Sequence, residues 1–285
     1  MENILEVKNL YKDFGGFSLK NVAFDLPKGS VMGFIGANGA GKTTTIKLML
    51  NMIRKDGGDV RILGLDHIEG EMSVKQQIGV VLDENHFHDS LKAADVSSIL
   101  KNIFITWDDG LFRKYLRKFG VPEDKTVKEL SRGTKTKLSL SAALAHRPKL
   151  LILDEATSGL DPVVRSEILD IFLDIIQDEE RAVLLSTHIT SDLERIADYV
   201  TLINDGSIIF SKPKDELKYG YGILKCGLGD FGRIDKADIE GSRKSRFGYE
   251  VLVKDRDKAA RQYPGATIDA ANIEDIMLFY VRSES

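Results

Sequence analysis

Gly36-Ala37-Asn38-Gly39-Ala40-Gly41-Lys42-Thr43 follows the apolar run Val31–Ile35 and precedes a stretch with helical spacing of Ile46, Leu48, Met49, Leu50 and Met52. A glycine-rich turn between a buried strand and a helix is a phosphate cradle. The glycines let backbone N–H groups converge on oxygens, and the helix start adds partial positive charge. In such a loop Lys42 reaches the outer phosphates and Thr43 offers a hydroxyl to a metal ion. Gly36, Asn38, Gly39, Ala40, Gly41, Lys42, Thr43 and Thr44 are therefore the candidate phosphate-binding residues.

Outward from the loop, Ile4–Val7, Val22–Leu26, Val60–Leu63 and Ile78–Leu82 read as strands, with turns at Gly15-Gly16 and Pro27-Lys28-Gly29. The loop helix is expected to run from Thr43 to about Arg54 and to end at Gly57-Gly58. Leu150–Leu153 and Val183–Leu185 are continuous apolar runs of the kind a doubly covered parallel sheet produces. Between them Pro162–Glu180 reads as one long helix with proline at its start. Val200–Ile203 and Ser207–Phe210, joined by Asn204-Asp205-Gly206, predict a hairpin.

Leu150-Leu151-Ile152-Leu153-Asp154-Glu155 sets two acids at the end of a buried strand, where Asp154 can hold Mg²⁺ and Glu155 can address an attacking water. Leu130-Ser131-Arg132-Gly133-Thr134 precedes this strand and is similar to the LSGGQ signature of ATP-binding cassette (ABC) proteins. Ser158-Gly159-Leu160-Asp161 resembles their D-loop, and Ser186-Thr187-His188 resembles their switch histidine. Order and spacing agree. Residues 2–215 thus resemble the ATPase subunit of an ABC transporter, an α/β P-loop NTPase with a mixed sheet core and a helical subdomain at about 89–147.

The resemblance implies ATP and Mg²⁺ as cofactors, with Lys42, Glu155 and His188 catalytic. It implies Thr43, Asp154 and Asp83 around the metal. Phe14 would stack on adenine, with Tyr11 the alternative and a core role open for either. Ser131 and Gly133 would touch the γ-phosphate held by a partner, and Asp161 would lie at the dimer contact. Two positions depart from the family pattern. Acids, Asp83 and Glu84, stand where glutamine is usual, and Arg132 and Thr134 replace the glycine and glutamine of the signature. Arg132, Lys135 and Lys137 make that helix start basic, read either as charge for a partner's nucleotide or as a solvated face.

Net charge is −4, which disfavours a general nucleic-acid surface, so no nucleic acid is expected as a partner. Asp89–Arg147 is locally basic, with 12 Lys and Arg against 7 Asp and Glu. One cysteine, Cys226, excludes an internal disulfide framework and fits a reducing cytoplasm. No apolar run approaches the ~20 residues of a membrane-spanning helix, and the first residues lack the apolar core of a signal peptide. The expected setting is cytoplasmic, peripheral to the cell membrane through a transmembrane permease. The expected ATPase partner is a second copy or a related subunit.

His86-x-His88 lacks a third ligand at convincing spacing and reads as a polar loop. Trp107, Phe104 and Phe112 read as packing, and Arg113-Lys114 with Arg117-Lys118 as a wet helix face. Residues 216–285 form a second unit, a small α/β appendage with helices at Asp215–Tyr219 and Asn272–Val281 and strands at Gly222–Cys226 and Tyr249–Val253. It carries no chemical motif and resembles the C-terminal extensions of some exporter ATPases. Two other classes compete: a regulator that senses nucleotide without useful hydrolysis, and an ATPase of nucleic acid or the ribosome. The first is opposed by Glu155 and His188. The second is opposed by the single cassette and the absence of a heptad coiled coil.

Overall fold

The computed structural model describes residues 2–83 and 86–282. The chain opens with strands β1 (Asn3–Asp13), β2 (Ser18–Pro27) and β3 (Val31–Ile35), then helix α1 (Lys42–Met49). Next come β4 (Gly57–Ile62), β5 (Leu65–Asp66), α2 (Glu71–Lys75) and β6 (Ile78–Val81). A helical stretch follows, with α3 (Ala93–Leu100), α4 (Asp109–Lys118) and α5 (Arg132–Ala145). Then β7 (Leu150–Asp154), α6 (Pro162–Ile176), β8 (Ala182–Ser186), α7 (Thr190–Ile196), β9 (Tyr199–Asn204) and β10 (Ser207–Pro213) complete the main body. The last part holds α8 (Lys214–Gly220), β11 (Gly222–Cys226), β12 (Gly241–Ser245), β13 (Gly248–Val253), α9 (Arg256–Gln262), β14 (Thr267–Ala270) and α10 (Ile273–Arg282).

The central sheet has the order β10-β9-β3-β8-β7-β6, parallel except for β10. Every residue of β3, β7 and β8 is buried, as their unbroken apolar runs predict. Because β3, β8, β7 and β6 run the same way, Ile35, Ser186, Asp154 and Val81 end on one edge, where ligands meet open α/β sheets. A second sheet, β2-β1-β4-β5, is antiparallel. It packs Leu5, Val7, Leu19, Phe24 and Leu26 against Met32, Phe34 and α1.

Three sequence boundaries shift. Helix α1 stops at Met49 rather than near Arg54, because Asn51 takes a left-handed φ of 54°. Asparagine tolerates that conformation and commonly ends helices. Gly57-Gly58 therefore opens β4 instead of closing the helix; a side chain at Gly58 would strike the Asn9 carbonyl. Helix α6 stops at Ile176 rather than Glu180, since Asp178 folds into a turn that accepts from Arg181 through backbone (2.9 Å) and side chain (2.8 Å).

The C-terminal sheet, β12-β13-β11-β14, is antiparallel throughout. Its faces alternate. Leu224, Val251 and Val253 build a small core with Ile234 and Ala259. Ile223 and Leu252 face the other way, and with Tyr221, Ile276 and Phe279 they merge into the large core containing Leu193, Val200 and Phe210. Strands β12 and β14 and helix α9 have no counterpart in the sequence reading; Ser242-Arg243-Lys244 and Thr267-Ile268-Asp269 are too polar to announce a strand.

Candidate functional site: a phosphate-loop cavity

The loop joining β3 to α1 is shaped by two glycines. A side chain at Gly36 would collide with the Ile203 carbonyl, so the chain leaves β3 only without one. Gly41 sits at φ 113° immediately before α1, and a Cβ there would lie 2.6 Å from Leu19 and 3.1 Å from Phe17. Behind the loop, the Ala40 carbonyl accepts from Gly206 N–H at 3.0 Å, which ties it to the β9–β10 turn. The result is a cavity of about 380 Å³ lined by Ala37, Asn38, Gly39, Gly41, Lys42, Thr43 and Thr44 on one side. Asp83, Arg132, Glu155, Ser158 and His188 line the other, with Phe17 at its edge on the β2 side.

Lys42 is buried, and its Nζ donates to the Gly36 carbonyl at 2.8 Å while lying 3.7 Å from Glu155 Oε1. Thr43 Oγ1 donates to Asp154 Oδ2 at 2.7 Å, so α1 and the tip of β7 are joined side chain to side chain. Asp154 is fully buried, and its Oδ1 has no hydrogen-bond partner. A buried carboxylate oxygen left unpaired beside a hydroxyl is a costly arrangement that suits an oxygen-seeking cation such as Mg²⁺. The donor set fits the metal.

Glu155 follows the end of β7 with a φ of 53°, a conformation costly for a non-glycine residue and most often kept at functional sites. Its N–H donates to the Ser186 carbonyl at 2.9 Å, and its Oε2 lies 2.7 Å from His188 Nδ1. The tips of β7 and β8 thus hold a carboxylate and an imidazole against the lysine of the loop. Such a group can position a water and take its proton.

Other sequence-expected residues lie elsewhere. Ser131 caps α5, accepting from Thr134 N–H at 3.2 Å, and does not line its own chain's cavity. Neither does Gly133, whose nearest neighbours beyond its own helix are Leu160 and the Gly159 carbonyl. Asp161 caps α6 through Val164 N–H at 3.0 Å. Asp83 does reach the cavity, but its Oδ1 accepts a hydrogen bond from Arg132 Nη2. Glu84 lies outside the described residues.

The aromatic expectation shifts. Phe14 is 48% exposed, with Lys12 Nζ over its ring at 5.7 Å, and it is not part of the cavity wall; nor is Tyr11. Phe17 is. Phe14 N–H closes a turn on the Phe17 carbonyl at 2.9 Å, which carries the third aromatic back towards Gly41. The available signal was that Phe17 directly precedes β2, beside Leu19.

Around the helical subdomain, Trp107 Nε1 donates to Ser97 Oγ at 2.9 Å and its ring meets Phe112 at 5.3 Å. Phe104 stacks on His146 at 4.0 Å. These aromatics pack. Beside them a second, apolar groove of about 460 Å³ runs between β6 and α5, lined by Met52, Met72, Phe87, Ile103 and Phe104 among others. His86 lines this groove, and His88 Nδ1 lies 2.8 Å from Ser90 Oγ.

The ABC transporter family pattern matches residues 19–158. The ABC transporter ATP-binding protein YtrB of Bacillus subtilis is 32% identical over 219 residues, covering 76% of this chain and 75% of that one. The bacitracin transport ATP-binding protein BcrA of Bacillus licheniformis is 31% identical over 221 residues, covering 76% and 72%. A solved ATP-binding subunit of an ABC transporter superposes with a TM-score of 0.69 at 24% identity, over 75% of this chain and 92% of its own, which shows the shared fold. Among the described residues no helix is long and apolar enough to cross a membrane. The chain therefore belongs to the ATP-binding subunits of ABC transporters, and it binds and hydrolyses ATP.

Proposed function

We propose that two such chains, or one chain and a related ATPase subunit, close head to tail over two ATP molecules and so drive a separate membrane permease. The observation that carries this reading is the split of the phosphate machinery. Lys42, Thr43, Glu155 and His188 converge within the chain, directly or through Asp154, whereas Ser131 and Gly133 do not line their own cavity. That leaves Ser131 and Gly133 for a nucleotide on a second chain, with Asp161 beside the contact.

In this scheme the loop N–H groups and Lys42 hold the triphosphate, and Phe17, rather than Phe14, borders the base. Thr43 and Asp154 would hold Mg²⁺, which supplies charge neutralisation at the phosphates. Glu155 accepts the proton of the attacking water, and His188 keeps that carboxylate aimed. The apolar groove supports a permease partner: Met52, Met72 and Ile103 on its wall are each more than half exposed. Such a partner sets the subunit on the cytoplasmic face of the membrane. Export is the proposed direction, supported by the C-terminal unit from residue 216 onward and by the relative named for bacitracin transport.

The test is light scattering of Glu155→Gln with ATP–Mg²⁺, with ATP in EDTA and with ADP. Loss of the carboxylate base leaves ATP bound but uncleaved, so the mass doubles with ATP–Mg²⁺ only. A variant that binds ATP and stays monomeric at high protein concentration contradicts pairing of two copies, and one that stays monomeric even with the related subunit added contradicts the paired mechanism.

A further inference from the structure

The two departures from the family pattern meet in space. Arg132, at the first position of α5, donates through Nη2 to Asp83 Oδ1, 49 residues earlier and just beyond β6. One turn further along α5, Lys135 Nζ lies 3.7 Å from Asp89 Oδ1. Both Asp83 and Arg132 line the cavity that also holds Lys42, Thr43 and Glu155.

Charge explains why the two would be useful together. A triphosphate is strongly anionic, and an aspartate in the cavity wall opposes it at close range. Glu155 already has a cation beside it in Lys42. Asp83 has only Arg132 among the ion pairs of the described residues. The pair itself is open to solvent, with side chains 46% and 69% exposed. It therefore adds little to the stability of the fold. Its consequence is electrostatic and local to the nucleotide.

We infer that Asp83 and Arg132 form a matched positioning pair for the triphosphate. Asp83 fixes the guanidinium in the cavity wall, and Arg132 cancels the carboxylate that would otherwise repel ATP. Asp83 then serves Arg132 and not the metal. The inference rests on the ATP-binding reading and adds two positioning residues to it.

The experiment is a calorimetric titration with ATP–Mg²⁺ of the full chain, as wild type, Arg132→Gln, Asp83→Asn and the double variant, at low and high ionic strength. The two single changes must act in opposite directions. Arg132→Gln leaves an uncompensated negative charge and weakens ATP binding by about fivefold; Asp83→Asn frees the guanidinium and tightens it by about twofold or more. The double variant returns to within about twofold of the wild type, and high salt shrinks all three differences. A purely structural contact would not produce opposite signs. Weaker, Mg²⁺-dependent binding by Asp83→Asn would make Asp83 a metal ligand and overturn the pair. Three variants that all match the wild type would also overturn it while leaving ATP binding intact. A wild type that binds no ATP would overturn both readings.

Discussion

The phosphate-loop edge of the central sheet and the C-terminal sheet are both built from short strands over an apolar core, yet they carry different kinds of constraint. At the loop edge single atoms decide: Gly36 because the Ile203 carbonyl leaves no room for a Cβ, Asp154 because Thr43 donates to it, Glu155 because a strained backbone turns it towards Lys42 and His188. In the C-terminal sheet Ile223 and Leu224 do nothing but face opposite ways into two cores. Chemistry fixes residue identity at points, whereas packing fixes only size and side. One region should therefore lose turnover without losing stability, and the other the reverse.

The largest expected effect lies in the first region. Glu155→Gln should slow steady-state ATP hydrolysis by roughly 10²–10⁴-fold, the usual loss when a general base is removed. Its thermal midpoint should stay near that of the wild type, because no apolar burial is lost. A variant that keeps a tenth of the wild-type rate would move the base elsewhere.

The mirror experiment is in the second region. Phe279 is 2% exposed on α10, packed against Gly241 and with the Arg243 guanidinium 4.7 Å from its ring centroid. Phe279→Ala should cost about 3–5 kcal/mol of stability, the range for emptying a buried aromatic site. Chemical denaturation measures that loss. ATP affinity of the folded variant should stay within about twofold of wild type, a margin below the ~0.5 kcal/mol resolution of additivity between distant sites. A large loss of affinity would mean that the C-terminal sheet reaches the nucleotide site.

These two regions were unequally legible. Gly36–Thr43, Asp154-Glu155 and His188 could be read from the sequence because phosphate, metal and proton transfer each require particular atoms beside a strand end. Phe17 was not among the aromatic candidates, Phe14 and Tyr11, since the turn between Phe14 and Phe17 decides which ring returns to Gly41. Asp83 and Arg132 were each visible as departures. Their pairing was not, because it depends on α5 meeting the end of β6 across 49 residues. In the C-terminal sheet, β11 and β13 announced themselves through Ile223-Leu224 and Val251-Leu252-Val253. The edge strands β12 and β14 are exposed and polar and left no such mark. Their hydrogen bonds to β13 and β11, rather than their composition, make them strands.

A smaller effect belongs to the helical side of the main body. Burial holds the His146 imidazole below its ordinary pKa of 6.5, with Nε2 3.0 Å from the Ile78 carbonyl. The unfolded chain takes up a proton as pH falls through 6.5, and the native chain does so only at lower pH. Stability from this group is therefore present above 6.5 and drains away as pH falls towards the native value. Buried His67, whose pKa burial also lowers, acts in the same direction. Denaturation midpoints on either side of pH 6.5 should drop on the acid side, and His146→Phe should reduce that drop. An equal drop in the variant would assign it to other groups.

Every step of the proposed mechanism requires ATP to sit in the cavity between α1, β7 and β8. Lys42 is buried there, with its Nζ 3.7 Å from Glu155 Oε1. Isothermal calorimetry of wild type and Lys42→Ala with ATP and Mg²⁺ tests this most directly. The wild type should bind one ATP per chain, and Lys42→Ala, still folded by circular dichroism, should give no measurable heat of binding. Binding by Lys42→Ala within a few-fold of the wild type would contradict the placement of the nucleotide and, with it, the division of labour between the two regions.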